Sequence, residues 1–185
     1  MNNFYHFTKG DKYIDDLIAQ SFEICRSKIS KRYIKYIIEN FEFGWMHVSP
    51  IAQVGQKRKR KTENRIYSFI LCRTLENPNG NISLYVDLVC NREGNSPEGK
   101  QLLQNVENFA RNNANINAIY LNGIVDLVKY YEKLGYIKGS MIDGKDDIVY
   151  QMIKWVEHTE SSFSDDIDSI TSTENSEDII KKLKQ

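Results

Sequence analysis

Tyr85-Val86-Asp87-Leu88-Val89-Cys90-Asn91-Arg92-Glu93-Gly94-Asn95-Ser96-Pro97-Glu98-Gly99-Lys100 is the stretch on which the reading of this chain turns. Its first part is apolar and β-branched enough to be a buried strand. Gly94, Pro97 and Gly99 then mark a turn, and helical spacing begins near Lys100. Strand, glycine-bearing turn and helix together make a phosphate site. The first N–H groups of a helix have no intrahelical partner, and its dipole places partial positive charge there. Lys100 adds a full charge beside them. A plain connecting loop has the same residues, so the neighbouring segments must decide.

Upstream, strand-like runs cover 44–48, 65–73 and 82–91, the last two separated by Asn77-Pro78-Asn79-Gly80. That turn predicts an antiparallel pair. Residues 56–64 read as the loop of another hairpin, and 4–7 as a short first strand. Two helices fill the interval between. Ile14, Leu17, Ile18, Phe22 and Cys25 share one face, with Asp11 as the cap; Tyr33, Ile34, Ile37, Ile38 and Phe41 share the other. Downstream, a helix over 100–112 carries Leu102, Leu103, Val106, Phe109 and Ala110 on one side. A strand at 118–121 follows. A helix over 126–134 then turns Leu127, Val128, Tyr131 and Leu134 inward and stops at Gly135. Strands at 136–138 and 148–155 complete an α+β order around one mixed sheet.

The chain has 185 residues, a one-domain length, and 41% hydrophobic residues, enough for a core. Lys plus Arg equals Asp plus Glu at 25 each, so no global field draws it to nucleic acid or a membrane. No apolar run reaches bilayer length, and the N-terminus lacks the pattern of a secretory signal. Three widely spaced cysteines offer neither a disulfide framework nor a zinc pattern, and three histidines form no ligand pair. These features predict no metal and a cytoplasmic or nuclear setting. Lys57-Arg58-Lys59-Arg60-Lys61 has two competing readings. One is a solvated hairpin loop; the other is nucleic-acid contact or nuclear import. From residue 157 the chain turns acidic and rich in serine and threonine, which predicts a disordered tail over 157–185 behind a domain of 1–156.

Tyr130-Tyr131-Glu132-Lys133-Leu134-Gly135-Tyr136 resembles the aromatic-Tyr-x-x-x-Gly-Phe signature of the GNAT N-acetyltransferases. It lies at the family's distance after the glycine-bearing turn. The resemblance covers about residues 43–155. It implies a GNAT-like central mixed β-sheet flanked by helices, and direct transfer of acetyl from acetyl-CoA to an amine of a small molecule or protein. It further implies that Tyr131 protonates the leaving thiolate. Asp87 lies where some members place a general base, its rival being a water chain to the backbone. Backbone at Val89, Cys90 and Asn91 would meet the pantetheine. The turn and helix start at Asn95, Ser96, Glu98, Gly99 and Lys100 would meet the pyrophosphate, with Tyr130 packing near the cofactor and Asn122 touching cofactor or acceptor. The family's turn reads Arg or Gln, two residues, Gly, one residue, Gly. Here Gly94 replaces the leading residue and Pro97 the first glycine, which removes one N–H donor. A binding module that keeps the fold without catalysis is the alternative. Cys90, late in a strand and far from any histidine, reads as a small apolar residue rather than a nucleophile. The acceptor has no recognisable motif.

Overall fold

Alternating apolar residues assemble one sheet, and two pairs of helices cover its faces. The computed structural model describes residues 4–25, 29–50, 64–78, 80–92, 97–143 and 148–158. The order is β1 (Phe4–Thr8), α1 (Ile14–Cys25), α2 (Lys31–Asn40), β2 (Phe43–Pro50), β3 (Asn64–Glu76), β4 (Ile82–Asn91), α3 (Glu98–Arg111), β5 (Ile116–Ile124), α4 (Val128–Lys133), β6 (Ile137–Asp143) and β7 (Ile148–Trp155). The strands lie in the order β1-β2-β3-β4-β5-β7-β6. All neighbours are antiparallel except β4 and β5, which run parallel with α3 as their crossover. The mixed sheet expected from the element order is therefore present.

Each face has its own core. Leu17, Ile24, Ile34, Ile37, Phe41, Met46, Phe69 and Leu71 join α1 and α2 to one side. Trp45, Ile70, Leu84, Val86, Leu102, Val106, Ile119 and Tyr131 join α3 and α4 to the other. Ser30 caps α2, its hydroxyl accepting from the Tyr33 N–H at 3.2 Å. The chain turns from α4 into β6 at Gly135, whose φ of 86° favours glycine. Gly80 likewise has φ 79°, and its N–H donates to the Asn77 carbonyl at 2.8 Å, closing the expected turn between β3 and β4.

Three expectations need correction. Ile18 and Phe22 are 45% and 36% exposed, because α1 meets the sheet through the narrower stripe Leu17, Ser21 and Ile24. Ser21 can lie inside because its hydroxyl donates to the Ile18 carbonyl. Leu127 is 41% exposed, because the chain enters α4 through a 3-10 turn at Val125–Leu127, whose tighter winding carries this side chain outward. Cys25 and Cys90 are bonded to each other, joining the end of α1 to β4 across 65 residues. That pairing removes the cysteine argument for a reducing compartment. Residues 57–61 of the basic run, Asn95, Ser96 and the tail beyond 158 lie outside the described residues. At the end of the described chain, His158 sets Nε2 2.9 Å from the Ile116 carbonyl oxygen and Nδ1 3.2 Å from that of Arg111.

Gly44 on β2 has no room for a side chain against β3. A Cβ there would stand 2.2 Å from the Ile70 carbonyl oxygen, a backbone atom that cannot step aside. Gly44→Ala is expected to lower the unfolding free energy by about 2–3 kcal/mol in urea titration, as overpacking does. An unchanged midpoint would show that β2 can shift without loss.

Candidate functional site

β4 and β5 start side by side and then part. Their pairing runs from Ile82 with Ile116 to Val86 with Leu121. Beyond it, β4 continues to Asn91 against β3, and β5 continues to Ile124 against β7. The sheet thus opens into a wedge whose walls stay hydrogen-bonded on their outer sides.

An irregularity in β4 sits at the mouth of the wedge. Leu71 partners Leu88 and Cys72 partners Val86, so Asp87 is the extra residue of a bulge. The bulge changes which face the strand presents. Leu84 and Val86 belong to the α3 core, whereas Leu88 and Cys90 belong to the α1–α2 core. Asp87 turns to the α1–α2 side. Its carboxylate is only 4% exposed and lies 3.2 Å from Arg73 Nε on β3. Burial pushes its pKa up to about 6, while Arg73 pulls it down and Glu42 adds to the rise. Around it stand Tyr33 from α2 and Tyr85 from β4, whose hydroxyls are held protonated chiefly by burial. The Asn122 amide, across the wedge on β5, hydrogen-bonds to Tyr85. Arg73 also lies over the Tyr85 ring, 5.0 Å from its centre.

On the opposite face, α4 brings Tyr131 to the same opening. Its ring lies on Gly123, the second β5 residue past the last β4–β5 pair. A Cβ at that glycine would be 3.1 Å from the tyrosine Cδ2. Tyr131 is 7% exposed, and burial pushes its pKa up to about 12, with Tyr130 adding a little. Tyr130 packs edge-on against it at 5.4 Å between ring centres and is itself 39% exposed. The structure therefore brings Asp87, Asn122, Tyr130 and Tyr131 to one wedge.

The end of β4 leads to the start of α3. Pro97 precedes the helix, and among the described residues no side chain caps its first turn, where the N–H groups of Gly99 and Lys100 lie. Gly99 approaches Asn91, whose Nδ2 would be 4.0 Å from a Cβ at that position. Lys100 points to solvent. Glu98 is drawn instead toward His47 of β2, Oε1 lying 4.0 Å from Nδ1. Val89 packs on the α3 core, but the Cys90 side chain turns away into its disulfide. Only the Cys90 backbone remains to face the wedge. Tyr33, Arg73 and Tyr85 were missed in the sequence, because no local pattern joins a surface helix position to residues on two strands.

No protein-family model matches the sequence, and no curated protein matches it. Solved structures do. The NatC complex bound to Gag peptide and CoA superposes with a TM-score of 0.61 at 14% identity, over 84% of this chain and 99% of that one. NAA60 from Arabidopsis thaliana, in complex with acetyl-CoA, gives 0.60 at 11% identity over 83% and 98%. The ribosomal-protein-S18-alanine N-acetyltransferase from Escherichia coli gives 0.56 at 10% identity over 86% and 97%. At such identities the likeness is one of fold. With the parted β4 and β5, and with α3 following β4 as their crossover, this chain has the fold of the GNAT N-acetyltransferases.

Proposed function

We propose that this chain transfers the acetyl group of acetyl-CoA to a primary amine. The observation that carries the reading is the wedge between β4 and β5, flanked by Asp87 on one face and Tyr131 on the other. The similar structures titled as bound to CoA or acetyl-CoA support the choice of cosubstrate. The residues present fit it. Parted strands leave backbone at Val89, Cys90 and Asn91 for an amide-bearing chain. The uncapped start of α3 offers Gly99 and Lys100 N–H groups to a diphosphate. Glu98 belongs to the same helix start, and the roles assigned to Asn95 and Ser96 fall on residues outside those described.

Asp87 would take a proton from the incoming ammonium, and the lone pair of the neutral amine so formed then attacks the thioester carbonyl. Tyr131 would give its proton to the sulfur as the carbon–sulfur bond breaks. Acetyl-CoA supplies the activated acyl group. A carboxyl with pKa near 6 is ionised at neutral pH, and a tyrosine near 12 is protonated, so each group starts in the state its task needs. The inactive binding module, suggested by Pro97 in the turn and by the basic run, has less support, because the described residues keep Tyr131 buried at the opening of the wedge. Among these, no helix is long and apolar enough to cross a membrane. The domain we assign spans 1–156, with the acidic remainder as an appended tail.

Thermal unfolding with acetyl-CoA tests the reading, with ATP as the phosphate-rich control. At 100 times its dissociation constant, the cosubstrate stabilises the native state by about 2.7 kcal/mol. The midpoint then rises by about 5–10 °C. A rise with acetyl-CoA and none with ATP is expected. Equal rises, or none at millimolar acetyl-CoA, would reject the site.

A further inference from the structure

Arg73 does more than touch Asp87; it covers it. The Asp87 side chain is 4% exposed and that of Arg73 38%, so the guanidinium stands between the carboxylate and solvent on the α1–α2 side. An amine that reaches Asp87 from that side has to take the place of Arg73. The displaced guanidinium then lacks a counter-charge in a partly desolvated site. Glu42 is a poor substitute, because its carboxylate is already held by Thr74, accepting from the N–H at 3.0 Å and the hydroxyl at 2.7 Å. Arg73 Nε is also buried without a hydrogen bond, since its N–H is not aligned on Asp87 despite their closeness. The pair is thus a contact of charges with a donor unused.

Resting on the reading of Asp87 as the base, we propose that the acceptor carries a carboxylate close to its amine, the ammonium replacing Arg73 on Asp87 and the carboxylate pairing with the freed Arg73. A zwitterionic acceptor exchanges one ion pair for two and leaves neither protein charge unmatched. A simple amine leaves the partly desolvated Arg73 charge unpaired, which costs binding. The planar fork of arginine suits a carboxylate, which takes two parallel N–H bonds from it. Tyr85 under the guanidinium and Tyr33 beside the carboxylate shape the remaining walls. The carboxylate has two natural sources, the α-carboxyl of a free amino acid or the side chain of an acidic residue at a peptide N-terminus.

Two matched acceptor pairs separate these sources: glycine against glycinamide, and Asp-Ala-Ala-amide against Asn-Ala-Ala-amide. Each is assayed with the wild-type protein, Arg73→Gln and Arg73→Lys, whose melting temperatures show whether the fold is kept. In at least one pair, the carboxylate preference in kcat/KM is expected to fall tenfold or more in Arg73→Gln, mainly through KM, with partial recovery in Arg73→Lys. Because the comparison is between proteins, the intrinsic reactivity of each amine cancels. A response only in the glycine pair assigns the α-carboxyl, and only in the peptide pair assigns the side chain. Equal preference in all three proteins overturns the proposal and leaves acetyl transfer standing. If no acceptor is turned over, calorimetric titration of the CoA-saturated protein decides. Carboxylate-dependent binding lost in Arg73→Gln keeps the zwitterion site and rejects the transfer, while its absence rejects both.

Discussion

Tyr131→Phe is expected to lower the turnover number about 10²–10³-fold while leaving the melting temperature nearly unchanged. The change removes one oxygen and nothing else. The ring stays wedged against Gly123 and between Tyr130 and Tyr136. In the proposed reaction the hydroxyl is the acid at the opening of the wedge, and burial holds it protonated far above neutral pH. The same burial raises the basicity of a thiolate formed beside it, so the departing sulfur becomes a fitting acceptor for the proton. Single-turnover measurement with saturating acetyl-CoA isolates this step from binding. The KM for acetyl-CoA should hardly move, since the hydroxyl acts as the bond breaks. Turnover within a factor of three of wild type would remove Tyr131 from the chemistry.

Asp87→Asn should lower kcat/KM by about 10²-fold at pH 7.5 and abolish the acid limb of the pH profile. In the wild type that limb reports the carboxyl raised to about 6, with activity lost as pH falls through that value. A retained limb in the variant would pass the role to a water chain. Stability moves in a defined direction too. The native carboxyl binds its proton up to about pH 6, whereas the unfolded one releases it near 3.8. Between these values the native state holds more proton, so this group's contribution to stability falls as pH rises. Denaturant titrations at pH 4 and pH 7 should therefore show the variant gaining on wild type by about 1–2 kcal/mol at the higher pH. This lies below the full linkage value because solvent screens the charge.

Local chemistry made much of this legible in advance. Ile82–Asn91 and Ile148–Trp155 have the expected bounds, because alternating apolar residues between turn formers leave a strand little choice. Gly135 ended the last helix for the reason that any L side chain resists its positive φ. Tyr131 was found through a motif. Asp87 was found as a carboxyl on an apolar strand, a pairing that desolvation was bound to perturb.

Other features depended on distant partners. Leu84, Val86, Leu88 and Cys90 alternate as though they lined one face, yet they divide between two cores. No residue type at Asp87 announces the bulge, which arises from the fit of β4 to β3 at Leu71 and Cys72. The Cys25–Cys90 bond, the cover that Arg73 makes over Asp87, and the cluster with Tyr33 all join residues far apart in the chain. The elements, their class and the motif tyrosine were legible from local residues, because propensity, turn chemistry and period act over a few positions. Which face each β4 side chain meets, and which charge lies over the carboxylate, came from long-range packing, because strand register and cross-sheet contacts are set by partners that local sequence does not name.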